Sequence, residues 1–323
     1  MNKTRAIVFA VMVVGILYFG GSCKAPSGQR PTSLTLGTFS KAIDYSPFYV
    51  ARHFKWFEAN PRLKGIAIKY TEFNDRPTIS AAFDKGDLDA LFAAEPPAII
   101  CRSQGNDIRI VEDSCTLQQE IVVRTALPIV SIGDLRGRRI GVLQGTSSHY
   151  GLLKILKTAH LGPSDVDLRF MGPDEAKTAF ETGRLDAWAV WPPFVEQQQV
   201  SGRGRVLTGG DAVIQSIMVV PASLISKQEA IARALVGVIR QSKKWINENP
   251  EEAQGIVANE LRIDIQVVRT AWGKHKWDAR LTDDVVADIQ AKAAFLAAAD
   301  ATRGAALDVR KDLIDSRFSL ANN

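Results

Sequence analysis

The stretch from Gly145 to His149 reads Gly-Thr-Ser-Ser-His, and no Asp or Glu stands between Gln144 and Leu153. These residue types suit an anion: a glycine that lets the backbone come close, three hydroxyls (Thr146, Ser147, Ser148) and an imidazole. Just before them Val142 and Leu143 end an apolar run; just after them Leu152, Leu153, Ile155 and Leu156 recur at helical spacing. A strand, a break at Gly145 and a helix starting near Thr146 are therefore expected. The first N–H groups of a helix lack partners inside it and carry a partial positive charge, which most sequences meet with a carboxylate in the first turn. Here that charge is left either to a simple cap by Thr146 or Ser147, or to an anion from outside the chain held by amides and hydroxyls without a metal. His149 is either a further donor to that ligand or a structural histidine.

A second candidate runs from Asp186 to Phe194, Asp-Ala-Trp-Ala-Val-Trp-Pro-Pro-Phe. Strand alternation turns Trp188 and Val190 to one face and Ala189 and Trp191 to the other, so one tryptophan is ordinary core. Trp191, at the strand's end beside Pro192, can wall a cleft. An aromatic wall beside an anion site fits a ligand with a charged head and an apolar body. Catalysis lacks its parts. Ser148 and His149 are adjacent and point apart on a helix, so neither can activate the other. The G-x-S-x-G, G-x-x-x-x-G-K-[ST] and H-E-x-x-H patterns are absent, and His53, His149, His160 and His275 make no metal-ligand spacing with the cysteines. The expectation is a binder with no cofactor, no metal and no catalytic residue.

The elements that must position these residues follow from periodicity. Strands are predicted at 34–39, 66–73, 88–93, 107–112 and 119–124, with helices at 46–58, 77–85 and 96–104. A second series has strands at 138–143, 166–170, 185–190 and 204–208, with helices at 147–159, 173–182 and 193–200; after Ser226 the pattern is helical. Strand–helix alternation predicts mostly parallel sheets covered on both faces, and two series predict two α/β lobes. The series repeat: Phe83-x-x-Gly86-x-Leu88-Asp89-Ala90 returns 97 residues on as Phe180-x-x-Gly183-x-Leu185-Asp186-Ala187, and Pro96 and Pro193 keep the offset. Asp89 and Asp186 could be an acid–base pair, but aspartates that pin turns by bonding backbone are the preferred reading. Ligands of parallel sheets lie beyond the carboxyl ends of the strands. That brings four segments to one cleft: Phe39 to Tyr45 with Ser40 and Asp44, Glu95 to Pro97 with Pro96, Gly145 to His149, and Trp188 to Phe194.

The chain has 323 residues, 46% hydrophobic and 23% charged, which is globular composition with enough length for two cores. Residues 1–22 read as an export signal: Lys3 and Arg5, an uncharged run from Ala6 to Phe19, then small residues up to Cys23. Its removal takes two positive charges from a net of +5, leaving +3, and the remaining Lys and Arg are scattered. Nucleic acid is therefore not an expected partner. Residues 23–33 mix Pro, Ser, Gly and charge without periodicity and are expected to be a flexible tether. Cys101 and Cys115 are open to two readings, a disulfide in an oxidising compartment or buried thiols.

Two longer patterns carry a resemblance. Gly133-Asp-Leu-Arg-Gly-Arg-Arg-Ile-Gly-Val runs into Gly145-Thr-Ser-Ser-His, and Ala179-Phe-x-x-Gly-x-Leu-Asp-Ala-Trp runs into Trp191-Pro-Pro-Phe. Together these resemble the substrate-binding proteins of ABC importers for aliphatic sulfonates and taurine, with their nitrate, bicarbonate and thiamine-precursor relatives. The resemblance spans Leu34 to Asn259. It departs where Trp191-Pro192-Pro193-Phe194 replaces the family's W-D-P-F, and in the first cleft loop, GTFSKAIDYSP. It implies a two-lobed periplasmic-binding-protein fold of type II, with crossover strands at Gln119 to Thr125 and Ile214 to Ala222. Lobe 1 would then comprise 34–122 and 216–323, its C-terminal helices packed on it, and lobe 2 would comprise 123–215. It also implies ligand contacts near Ser147 and around Trp188 to Pro193, Pro192 among them, a small organic anion as ligand, and an ABC permease with its ATPase as partners of a monomer. Gly20-Gly-Ser-Cys23 resembles the lipobox of bacterial lipoproteins, apart from Gly20, and implies a chain in the periplasm or on the cell exterior, anchored to the membrane through acylated Cys23; an uncleaved signal anchor is the other reading. An enzyme on the same fold acting on a pyrimidine or other small metabolite, or a sensory lipoprotein, are the rival functions. The Cys-rich iron motif of the fungal-type pyrimidine synthases that share the fold is absent from the sequence.

Overall fold

The structure is a computed structural model that describes residues 30–207, 212–298 and 307–318. The export signal, Cys23 and most of the tether lie outside the described residues. Strands β1 (Ser33–Phe39), β2 (Ala67–Phe73) and β3 (Ala90–Ala94) run parallel, with β4 (Ile108–Gln118) at the edge of the same sheet. In a second sheet β5 (Glu120–Arg124) joins β6 (Arg139–Val142), β7 (Asp167–Phe170), β8 (Ala187–Val190) and β9 (Gly204–Leu207). The chain then returns to the first sheet with β10 (Val213–Pro221).

The strand orders are β2-β1-β3-β10-β4 and β7-β6-β8-β5-β9, one arrangement used twice. In each sheet the fourth strand is antiparallel to both neighbours and enters directly from the other sheet. The strands expected at the crossings are β5 and β10. β5 pairs within the second sheet from Glu120 onward and β10 within the first from Val213, so the chain passes over at Gln119 and again between Leu207 and Val213. An interior strand needs partners on both sides for its backbone groups, which confines each passage to a brief link.

Around the first sheet lie α1 (Ser46–His53), α2 (Trp56–Ala59), α3 (Arg76–Lys85) and α4 (Glu95–Ser103); around the second lie α5 (Ser147–Thr158), α6 (Pro173–Glu181) and α7 (Phe194–Val200). The C-terminal segment supplies α8 (Ala222–Glu248), α9 (Pro250–Leu261), α10 (Ile265–Trp272), α11 (Asp283–Ala298) and α12 (Val309–Asp312). α8 packs on β4, β10 and α1, and α11 packs on α4. Three differences from the periodicity have local causes. The helix predicted over 46–58 breaks because Lys55 turns left-handed, at φ 55°. β4 outruns the predicted 107–112 because the polar Asp113 and Ser114 interrupt the apolar pattern without ending the strand: Asp113 pairs with Ile217, and Ser114, at a register shift, donates its Oγ to Ser216 O at 2.7 Å. Ser33 belongs to β1 and not to the tether, paired with Ala67, while Arg30 donates to the carbonyls of Arg62 and Lys64. Cys101 and Cys115 are separate, buried thiols.

The repeat is visible atom by atom. Gly86 and Gly183 take φ of 73° and 80° in the turns after α3 and α6. Asp89 Oδ2 accepts the Thr35 N–H at 2.8 Å, and Asp186 Oδ2 accepts the Arg139 N–H at 2.9 Å. The N–H of each aspartate donates back to the carbonyl of the same residue, at 2.9 Å in both copies. These are turn pins, each fastening a β-strand to the centre of its sheet. Asp89→Ala leaves the Thr35 N–H without its acceptor and is expected to cost about 1–3 kcal/mol in urea denaturation; a loss near zero would show that water replaces the carboxylate.

Candidate functional site

β6 ends at Val142, and the turn that follows is closed by its own side chains. Thr146 Oγ1 donates to Leu143 O at 2.7 Å and accepts the His149 N–H at 3.4 Å, which makes Thr146 the N-cap of α5. Gly145 sits at φ 74°, a left-handed position that favours glycine, and its N–H donates to His149 Nδ1 at 3.3 Å. The N–H groups of Ser147 and Ser148 are left without an acceptor among the described residues. α5 is set against the crossing link: Ser148 Oγ donates to Gln119 Oε1 at 3.3 Å, and Gln119 Nε2 donates to Val190 O at 2.8 Å. The fit is close enough that a Cβ on Gly151 would lie 2.3 Å from Gln119 Cγ.

Ser147 opens onto a cavity of about 20 Å³ between the two sheets. Its lining comes from the end of β1 and the segment after it (Phe39, Ala42, Asp44, Tyr45), from the start of α4 (Ala94, Pro97), and from the second sheet's side (Thr146, Ser147, Trp191). That volume holds about one water molecule, so a larger ligand requires the walls to part. Two hydrogen bonds close the mouth: Trp191 Nε1 donates to Lys41 O at 3.2 Å, and the Ile43 N–H donates to Pro192 O at 3.4 Å.

The four segments that strand polarity predicted do meet, but their side chains divide. Asp44, Tyr45, Thr146, Ser147 and Trp191 form the walls. Trp188 is core, packed between Phe180 and Phe194. Gly145 and Ser148 shape the turn and the crossing, and Pro192 acts through its carbonyl. His149 packs edge-on against Phe170, and burial lowers its pKa, keeping the imidazole neutral. Ser40, at φ 61°, ties β1 to β2 through its N–H to Phe73 O. Glu95 follows Ala94 and opens α4, with Pro96 next to it, but its carboxylate turns away from the cavity to the buried ammonium of Lys292 and to the Gln215 N–H at 3.0 Å.

Asp44 is the group whose character sequence reasoning missed. It is 4% exposed, its Oδ2 accepts Ser216 Oγ at 2.8 Å, and its Oδ1 has no partner. Burial pushes its pKa up to about 6, against the pull of the Ser216 hydrogen bond, and the Glu95 charge adds to the rise. The partner that betrays its setting lies 172 positions away, so no local pattern could announce it.

The family described as NMT1/THI5 like matches over residues 42–253. The chain belongs to the NMT1/THI5-like family. Among relatives of this NMT1/THI5-like chain, a putative aliphatic sulfonates-binding protein of Escherichia coli (strain K12) is 26% identical over 205 residues, 62% of this chain and 64% of that protein. One from Bacillus subtilis (strain 168) is 25% identical over 319 residues, 95% of this chain and 94% of that protein. The taurine-binding periplasmic protein of Escherichia coli (strain K12) is 24% identical over 193 residues, covering 58% of this chain and 60% of that one. The match thus spans a little under two thirds of the two Escherichia coli proteins. Among solved structures, the alkanesulfonate-binding protein SsuA from Xanthomonas axonopodis pv. citri bound to MOPS has a TM-score of 0.76 at 20% identity, over 90% of this chain and 99% of that chain. Desulfurization enzyme DSZB has a TM-score of 0.65 at 17% identity, over 88% and 96%. These likenesses show the two-lobed periplasmic-binding-protein fold, which carries binders and an enzyme alike.

The Asp44 carboxyl has a thermodynamic signature. Between its ordinary 3.8 and about 6 the unfolded chain has released a proton that the folded chain keeps, so the stability Asp44 contributes falls as pH rises through that window. His275, buried and lowered to about 4, acts in the opposite sense over much of the same range. Asp44→Asn removes only the first effect. Its stability relative to the wild type is expected to rise by about 3 kcal/mol from pH 4 to pH 7, read from paired thermal unfolding curves; a pH-independent difference would mean that Asp44 is hydrated.

Proposed function

We propose that this chain is the extracytoplasmic solute-binding component of an ABC importer, which captures a small organic anion, an aliphatic sulfonate or taurine-like compound, and hands it to a permease. The observation that carries this reading is the pair of unpaired amides at Ser147 and Ser148, at the start of a twelve-residue helix, beside a cavity walled from both sheets. The anionic head takes those amides and the Ser147 hydroxyl, while Phe39, Ala42 and Trp191 take the apolar body. Two or three charge-assisted hydrogen bonds of about 1.5–3 kcal/mol each, with some apolar burial, reach the roughly 8 kcal/mol of micromolar binding. The names of the sulfonate- and taurine-binding relatives support the ligand class.

Capture requires the mouth to open and close. Separating the walls breaks the Trp191–Lys41 and Ile43–Pro192 bonds, and a ligand touching both sides favours the closed form by its extra affinity for it. We read the chain as a binder and not an enzyme because the cavity walls contain no thiol and no imidazole. The described thiols are buried, and burial pushes Cys101 up to about 11, far from a reactive thiolate. Delivery at the outer face of a membrane accords with the lipobox-like Cys23 and with an acylated monomer tethered there. No helix among the described residues is long and apolar enough to cross a membrane.

A thermal-shift panel of taurine, alkanesulfonates, nitrate, bicarbonate and pyrimidine precursors tests the reading. A true ligand at a hundred times its Kd is expected to stabilise by about 2.7 kcal/mol. Ser147→Asp is expected to abolish that shift, since a fixed carboxylate then occupies the anion's place. A shift of undiminished size in the variant would put the ligand elsewhere, and turnover of any panel member would favour the enzyme.

A further inference from the structure

The end of the second sheet away from the cleft carries a larger cavity. β5 runs antiparallel to its neighbours, so its last residue, Arg124, lies beside the starts of β8 and β9, opposite the strand ends that face the site. There Arg124, Thr125, Phe180, Glu181 and Arg203 line a cavity of about 420 Å³, within the size range of small-molecule sites.

The charges around it do not balance. Asp186 is held by Arg139 at 2.6 Å, while Glu181 accepts Gln198 Nε2 at 3.0 Å and meets Arg203 only at 4.0 Å. The Arg124 guanidinium has no hydrogen bond or ion pair to any described residue. It rests its face on the turn after α6: a Cβ on Gly183 would stand 2.9 Å from Nη1, 3.2 Å from Cζ and 3.3 Å from Nη2. The first sheet supplies the comparison. Gly86, in the same turn after α3, has nothing within 4 Å of its Cβ position, so the turn itself does not require a guanidinium. Seated on backbone, that guanidinium keeps its charge and its fork of N–H donors for a partner from outside the chain.

Two fixed positive charges set this cavity apart from the cleft, whose lining holds no Lys or Arg and suits a monoanion. A phosphate monoester carries about 1.5 to 2 negative charges at pH 7 and three acceptor oxygens, which match two guanidiniums and a hydroxyl. We infer that the cavity at the base of the second lobe binds a small, soluble phosphate monoester. Its phosphate is forked by Arg124 and flanked by Arg203 and the Thr125 hydroxyl, and Phe180 and Ala126 are the apolar lining for its organic part.

Calorimetric titration with glycerol phosphate tests this. The wild type is expected to bind it, and Arg124→Ala to weaken it about tenfold or more, the return on a charge-assisted hydrogen bond. Arg203→Ala, at a side chain 57% exposed, is expected to act in the same direction and serves if Arg124→Ala does not fold. Ser147→Asp, which alters the cleft alone, is expected to leave the affinity unchanged, so this site and the capture reading fail separately. A wild type that does not bind glycerol phosphate, or an affinity that both arginine variants keep, would overturn the inference. So would loss of binding in Ser147→Asp, which would move the phosphate to the cleft. Flotation of the wild type, but not of Arg124→Ala, with phosphatidic acid vesicles would give the site to a lipid headgroup and overturn the soluble ligand.

Discussion

Taking a carboxylate out of water costs several kcal/mol unless a cation or several hydrogen bonds replace the hydration, and this chain buries several, among them Glu95, Glu112 and Glu196. The solution is supplied by the C-terminal helices. Lys243 of α8 holds Glu112 of β4 at 2.6 Å, Lys274 after α10 holds Glu120 and Glu196, and Lys292 of α11 holds Glu95. These lysines are themselves largely buried, and removing either member of such a pair leaves an uncompensated charge. The C-terminal segment is thus an electrostatic counterpart of the sheets as well as an apolar cover. Lys274 does this for the second sheet, since Glu120 and Glu196 belong to β5 and α7.

Against that background the cleft differs from the rest of the interface. The joint between the sheets is strong where acids and lysines pair and weak at the mouth, where two hydrogen bonds span the gap. A typical hydrogen bond is worth about 0.5–1.5 kcal/mol net, and α5 adds apolar contact across the same line, Tyr150 packing edge-on against Phe295 of α11. Gln119 carries the connection between the two regions. It is the single residue between β4 and β5, it holds the Val190 carbonyl of β8, and it packs against Gly151 of α5.

The duplicated architecture explains why a site forms where it does. Each sheet ends its parallel strands at the cleft, and each fastens its strands with an aspartate turn pin, Asp89 in one and Asp186 in the other. The copies diverge in the loops after their central strands. After β1 the chain presents Asp44; after β6 it presents the bare start of α5. One scaffold used twice thus places a negative pole and a positive pole on opposite walls.

Much of this was legible in the residues alone. Apolar periodicity located most strands and helices to within two residues, the 97-residue repeat exposed the duplication, and the missing carboxylate after Gln144 marked α5 as the helix of interest. Those features are local, because the period of side chains along a strand or helix is set by the backbone itself. What local pattern could not contain was pairing across the chain. That Trp188 is core while Trp191 is wall, that Glu95 turns from the cavity to a lysine 197 positions away, and that Asp44 keeps a free oxygen were decided by the tertiary structure. The energy of a buried charge depends on which distant groups come within a few ångströms of it, and only folding determines that.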